Sequence, residues 1–263
     1  MFKITFSFIL GVLFILNPSL SEGQEYEKYI GKQLSSVKKS FKDIEEDNRI
    51  YPELRSKGRR IKNNLEAYPE LPIVAENIIH QADKMPLNFL NPVKSPSPPP
   101  DADFLGLDDS GGSIPPDVNG APGLEHLMVT LNTDFRIMDK QGNPISTVGS
   151  GAFWLSTPGA GGVFDPKVSY DPYENRWLLI MPANSDPSIS KLLIAVSETH
   201  DPTGDWYMYS FDGDPEDTHW FDYPNYGFNK DKIVVTGNMF GGGSVYVAVY
   251  VFSKEDLYNN AID

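Results

Sequence analysis

The chain has 263 residues, 36 of them acidic and 22 basic, giving a net charge of −14, and it contains no cysteine. It therefore has no disulfide, no thiolate metal ligand and no cysteine nucleophile, which leaves packing, or packing with bound ions, to hold it together. With 40 % hydrophobic and 12 % aromatic residues, it has the composition of a folded protein rather than a disordered one.

Residues 1–23 have the three parts of a secretory signal: a short start carrying Lys3, an apolar core from Ile4 to Leu16, and a small-residue cleavage site at Ser21 and Gly23. The apolar core is about 13 residues, short of the roughly 20 needed to span a bilayer. Cleavage would leave Gln24 as the new N-terminus, and the expected location is secreted, at the cell surface or periplasmic.

Residues 24–90 are expected to be a helical N-terminal region. Tyr26, Ile30, Leu34, Val37, Phe41 and Ile44 recur every three or four positions, which predicts an amphipathic helix between Glu25 and Asp47. Two further helices are expected, from Pro52 toward Ala67 and from Ile73 to Lys84. Each follows a Tyr-Pro-Glu-Leu tetrapeptide, at Tyr51 and Tyr68, whose proline suits a first helical turn. Residues 91–103, NPVKSPSPPPDAD, read as a semi-rigid proline-rich linker.

Residues 104–263 change texture, with short runs rich in Val, Ile, Tyr, Phe and Trp separated by Gly, Pro, Asn and Asp, the signature of an all-β fold. The charge divides at the same place. From Pro96 onward there are 24 acidic and 8 basic residues, against 11 and 13 between Gln24 and Ser95. So acidic a segment repels phosphate backbones and argues against nucleic-acid binding.

The same order of parts occurs three times, beginning at Asp117, Asp165 and Asp222, at intervals of 48 and 57 residues. After each aspartate come a short first strand, a polar turn and a stronger apolar strand: Leu127 to Leu131, Trp177 to Met181, and Ile233 to Thr236. A third strand follows at Phe135 to Met138, Leu192 to Ser197 and Val245 to Phe252, and the second copy adds a fourth at Trp206 to Phe211. Gly241 to Gly243 read as a hairpin turn, where glycine allows positive φ. Four antiparallel strands in about 40 to 50 residues is the unit of a β-propeller blade, and a β-sandwich is the competing fold. About three blades are present, too few to close a ring, so closure is expected to need further blades or a partner.

Thr199, Asp201, Gly204 and Trp206 in THDPTGDW resemble the Asp-box hairpin of sialidase-type propellers, with one extra residue between Asp and Gly. That resemblance implies a structural role, the aspartate capping the turn and the tryptophan packing between blades. IPPDVNGAPG at Ile114, FDPKVSYDPYENRW at Phe164, AVSETHDPTGDWYMYSFD at Ala195 and DYPNYGFNKDKIVVTGNMF at Asp222 together resemble a group of exported bacterial β-propeller proteins, over roughly Ile114 to Asp263. The resemblance implies fold and export rather than chemistry.

In such a fold the loops before the innermost strands line one mouth of the channel, so Asp117, Asp165 and Asp222 are expected to converge there, as candidate ligands for Ca²⁺ or a cationic molecule. The alternative is that each aspartate caps its own turn beside Pro116, Pro166 or Pro224. Trp154, Trp220 and Tyr223, with Phe164, are candidates for a sugar-stacking platform, the alternative being that these bulky aromatics wedge neighbouring blades together. The sialidase active site is missing, because it needs three arginines and only Arg136 and Arg176 follow the linker. Ser150 lacks the Gly-x-Ser-x-Gly spacing of a hydrolase nucleophile, and the four histidines lack zinc spacing and read as loop or surface residues. The expected function is an exported, non-catalytic binding or scaffold propeller with an extracellular glycan or protein ligand. The alternative is a carbohydrate-active hydrolase whose remaining catalytic residues lie in blades beyond residue 263.

Overall fold

The computed structural model describes residues 33–54, 99–108 and 113–261. The signal sequence, the third helix, most of the second and the first part of the linker lie outside the described residues.

Each repeat folds into one antiparallel sheet. Blade 1 is a four-stranded meander of β2 (Asn119–Pro122), β3 (His126–Thr130), β4 (Asp134–Asp139) and β5 (Pro144–Gly149). Blade 2 comprises β6 (Lys167–Asp171), β7 (Arg176–Ala183), β8 (Lys191–Ser197) and β9 (Asp205–Asp212). Blade 3 has β10 (His219–Phe228), β11 (Lys232–Gly241) and β12 (Ser244–Ser253). The fold is thus mostly β, built of propeller-like blades. The sheets follow one another face to face rather than forming the two layers of a sandwich.

Two clusters of buried side chains mark the blade junctions. Met128, Phe135 and Ile137 of blade 1 pack on Leu179, Met181, Leu193 and Ala195 of blade 2. The opposite face of blade 2, with Leu178, Ile180, Leu192, Ile194 and Val196, packs on Phe221, Ile233 and Val235 of blade 3. Strands β7 and β8 are buried on both faces, which is why they read as continuous apolar runs rather than as alternation.

The hairpin between β8 and β9 is closed by local hydrogen bonds. Asp201 Oδ1 accepts from the Thr203 amide at 2.9 Å and its hydroxyl at 2.7 Å. Trp206, fully buried at the junction of blades 1 and 2, donates its Nε1–H to Pro202 O at 2.9 Å. Between β11 and β12, Gly241 pairs with Ser244, and Gly242 and Gly243 turn the chain with φ of 53° and 79°.

The N-terminal helix expected over Glu25 to Asp47 is only partly present. Residues Gln33–Ser40 form strand β1, which adds a fifth strand to blade 2 by pairing antiparallel with β9. The helix, α1 (Phe41–Ile50), starts at Ser40, whose hydroxyl accepts from the Asp43 amide at 3.1 Å. An open edge on β9 outweighs helical periodicity, because its outward amides and carbonyls need partners. Lys38 secures the strand with Glu198 at 2.9 Å and Asp205 at 3.1 Å. α1 buries Phe41 and Ile44 against the first junction, beside α2 (Ser150–Trp154). A turn of 3-10 helix at Pro52–Leu54 is the described part of the second expected helix.

After β12, helix α3 (Lys254–Asn259) folds back across blades 2 and 3. Lys254 and Asp171, both buried, form an ion pair at 2.5 Å, and the Tyr258 hydroxyl donates to Asp171 at 2.8 Å. Burial, then this carboxylate, drives the Tyr258 phenol well above its ordinary pKa.

Candidate functional site

The first strands of successive blades are neighbours. β2 and β6 touch through Asn119, whose Oδ1 accepts from the Val168 amide at 2.8 Å, and Lys167 of β6 places its ammonium 4.7 Å from the Tyr223 ring centre. The loop before each first strand turns through the left-handed region at one residue: Asp117 (φ 49°), Asp165 (φ 50°) and Tyr223 (φ 47°). Each stands two residues before the first strand residue that pairs onward, namely Asn119, Lys167 and Asn225.

In backbone terms, then, the third equivalent of Asp117 and Asp165 is Tyr223 rather than Asp222. Asp222 sits one residue earlier, paired with Asn238 just before the strand register shifts. Its carboxylate still reaches the same place. Burial first, then charge and hydrogen bonding from Asp117 and from Asp222, together push the Asp165 carboxyl up to about 8. The Asp165 carboxyl thus interacts with that of Asp117 and with that of Asp222.

A residue that the sequence did not single out builds this arrangement. Asn132, 4 % exposed in the turn between β3 and β4, donates from Nδ2 to Asp117 Oδ2 at 2.6 Å and to Pro115 O at 3.1 Å. Its Oδ1 accepts from the Asp165 amide at 2.6 Å. The Asn132 main-chain N–H donates to Pro116 O at 2.9 Å, and its carbonyl accepts from the buried Ser150 hydroxyl at 2.6 Å. One side chain thus ties the Asp117 loop to the Asp165 loop across two blades. Ser150 has a structural bond here, in keeping with its lack of hydrolase spacing.

The aromatic candidates separate. Trp220, two residues before Asp222 on β10, is half-buried between Phe164, at 6.0 Å between ring centres, and Phe240 at 5.3 Å. Tyr223 is 50 % exposed, with Lys167 over its ring. Trp154 does not belong with them. It is fully buried in α2, edge to face with Phe153 at 5.2 Å, so its place in a stacking platform is corrected to one in the core. His219, expected in a loop or on the surface, is buried on β10, with Nδ1 2.7 Å from the Thr218 hydroxyl and Nε2 2.9 Å from that of Ser244.

Among the described residues no group of three or more His, Cys, Asp or Glu side chains is arranged to hold a metal ion, and the calcium expectation finds no support there. A carboxyl that keeps its proton near neutral pH, beside two further carboxylates, supplies a hydrogen-bond donor next to acceptors, the complement of a hydroxyl-rich ligand.

No protein-family model matches the chain, and no curated protein matches it. Among solved structures, it is similar to a GH43 endo-arabinanase from Bacillus licheniformis, at 15 % identity and a TM-score of 0.33, over 51 % of this chain. The match spans about half of that protein, 52 % of its chain.

Proposed function

We propose that this is an exported binding protein whose blade mouth, formed by Asp117, Asp165 and Asp222 with Trp220 beside them, takes a carbohydrate. The observation that carries the reading is the meeting of the three aspartates from three separate blades. Carboxylates accept hydrogen bonds from sugar hydroxyls, protonated Asp165 donates one, and the half-buried Trp220 offers an apolar face to sugar C–H groups. Glycan-array screening followed by calorimetry tests this. Asp117→Asn and Trp220→Ala should each weaken binding of an array hit by about tenfold or more. A chain that binds no neutral or basic glycan, or variants that bind as the parent does, would reject it.

A second reading, glycoside hydrolysis, is favoured by the proton that Asp165 retains up to about 8. That group would protonate the leaving oxygen while Asp117 or Asp222 acts as base or nucleophile. Release of reducing ends from polysaccharide separates the readings. Turnover that declines above about pH 8 and disappears in Asp165→Asn supports catalysis, and binding without turnover supports the first reading. Export is tested by N-terminal sequencing of secreted protein, expected to begin at Gln24.

A further inference from the structure

The two blade junctions repeat one geometry, and the repeat identifies a third face built for the same contact. In blade 1, Phe135 pairs with Thr130; in blade 2, Ile194 pairs with Ile180; in blade 3, Val249 pairs with Thr236. These are equivalent positions on the face that each blade turns toward the next. Phe135 is 1 % exposed under blade 2 and Ile194 is fully buried under blade 3, whereas Val249 is 61 % exposed. One strand pair along, Ile137 and Val196 are fully buried, and the equivalent Val251 is 63 % exposed.

The edge of blade 3 agrees. In a two-residue hairpin the flanking residues form a hydrogen-bonded pair, here Gly241 and Ser244, and bonded pairs alternate along the ladder. Val245, Val247, Val249 and Val251 therefore point their amides and carbonyls away from β11, along the edge where blades 1 and 2 each carry a fourth strand. A shallow groove of about 420 Å³ on this blade runs past Asn225, Gly227, Val234 and Thr236. Lys232 is the one charged residue that lines it, in a chain of net charge −14.

We infer that this face of blade 3 is a docking surface for one further four-stranded blade, whose own back face presents alternating aliphatic side chains. Continuity with the two existing junctions selects that occupant, because both have been built by setting an aliphatic back face on these same positions.

The test uses the full chain and a tandem form with a second copy of Phe164–Asp212 joined after Ala261. That copy brings the back face of Leu179, Met181, Leu193 and Ala195. In both forms Val249→Cys introduces a thiol into a chain that has none. That thiol should react with maleimide at the rate of an exposed cysteine in the parent form and about tenfold or more slowly in the tandem form. Leu193→Lys in the added copy should restore the fast rate. The inference is overturned if the added blade leaves the rate unchanged, or if the parent form is a discrete dimer whose thiol is already protected, which would make a second copy the occupant.

Discussion

Asn132 bonds through both polar atoms of its side chain and both of its main chain, to the Asp117 loop, the Asp165 loop and Ser150 at the start of α2. Asn132→Ala would leave the Asp165 amide without its acceptor and Asp117 without its donor, a cost of about 2–4 kcal/mol in urea unfolding. Asn132→Asp should also destabilise, because it places another carboxylate beside Asp117. At Asp165 the sign of the pH dependence follows from the direction of its shift. The folded-state value of about 8 lies above the ordinary 3.8, so the folded form holds a proton that the unfolded chain releases between these limits. Its contribution to stability is complete below about pH 4, declines as pH rises, and is lost above about pH 8. Discounted for partial exposure, the swing is about 2 kcal/mol. Asp165→Asn should flatten the slope of melting temperature against pH over this window and melt higher than the parent at pH 8; an unchanged slope would place the proton elsewhere.

Elements differed in how plainly they could be read. β7, β8, β11 and β12 are long apolar runs between turn residues, and each lies where its run predicts. The diglycine turn was equally legible, since a tight hairpin requires positive φ. β1 was hidden because its apolar spacing fits a helical face. Its strand conformation is imposed by the edge of β9, more than a hundred residues away, and local periodicity has no knowledge of that edge. Ser40 with Asp43 did carry a local signal for the true helix start. At the site, Asp117 and Asp165 were legible from their repeat, Asp222 lies one residue off it, and Asn132 occurs in blade 1 without an asparagine at the matching Pro182. Trp154 was misplaced because an aromatic residue between strands looks the same whether its ring faces solvent or the core. Helix α3 gives a further expectation at this scale. Lys254 lies 4.9 Å from the Tyr173 ring centre and 5.2 Å from that of Phe228, besides pairing with Asp171. Lys254→Ala strands a buried carboxylate and should cost about 3–5 kcal/mol, measured by denaturant unfolding. Lys254→Met combined with Asp171→Asn should recover much of that loss, because neither buried charge then remains.

At the scale of the whole molecule, each blade is stabilised by its neighbours more than by its own sheet, since both faces of blade 2 are apolar. Substitutions at one junction should therefore be felt across it. Leu193→Ala, at the first junction, and Ile194→Ala, at the second, each remove a fully buried aliphatic side chain and should cost about 2–5 kcal/mol. The two residues are sequence neighbours on opposite faces of β8, so a double mutant whose cost is close to the sum would show that the junctions are independently packed. A marked departure from additivity would show that the sheet transmits strain between them.

The pairing of β1 with β9 also bears on how the chain reaches this state. Lys38 and Glu198, which meet across that pairing, are 160 residues apart in sequence. Closing a loop of that length in an unstructured chain costs about 4 kcal/mol of entropy. Blades 1 and 2 are meanders whose strands are sequence neighbours, so they can assemble first and shorten the effective loop. The fifth strand of blade 2, although first in sequence among the described strands, is then the last to be laid down. Until it arrives, β9 remains an open edge, and the interval before capture is when the folding chain is most exposed to pairing with another molecule.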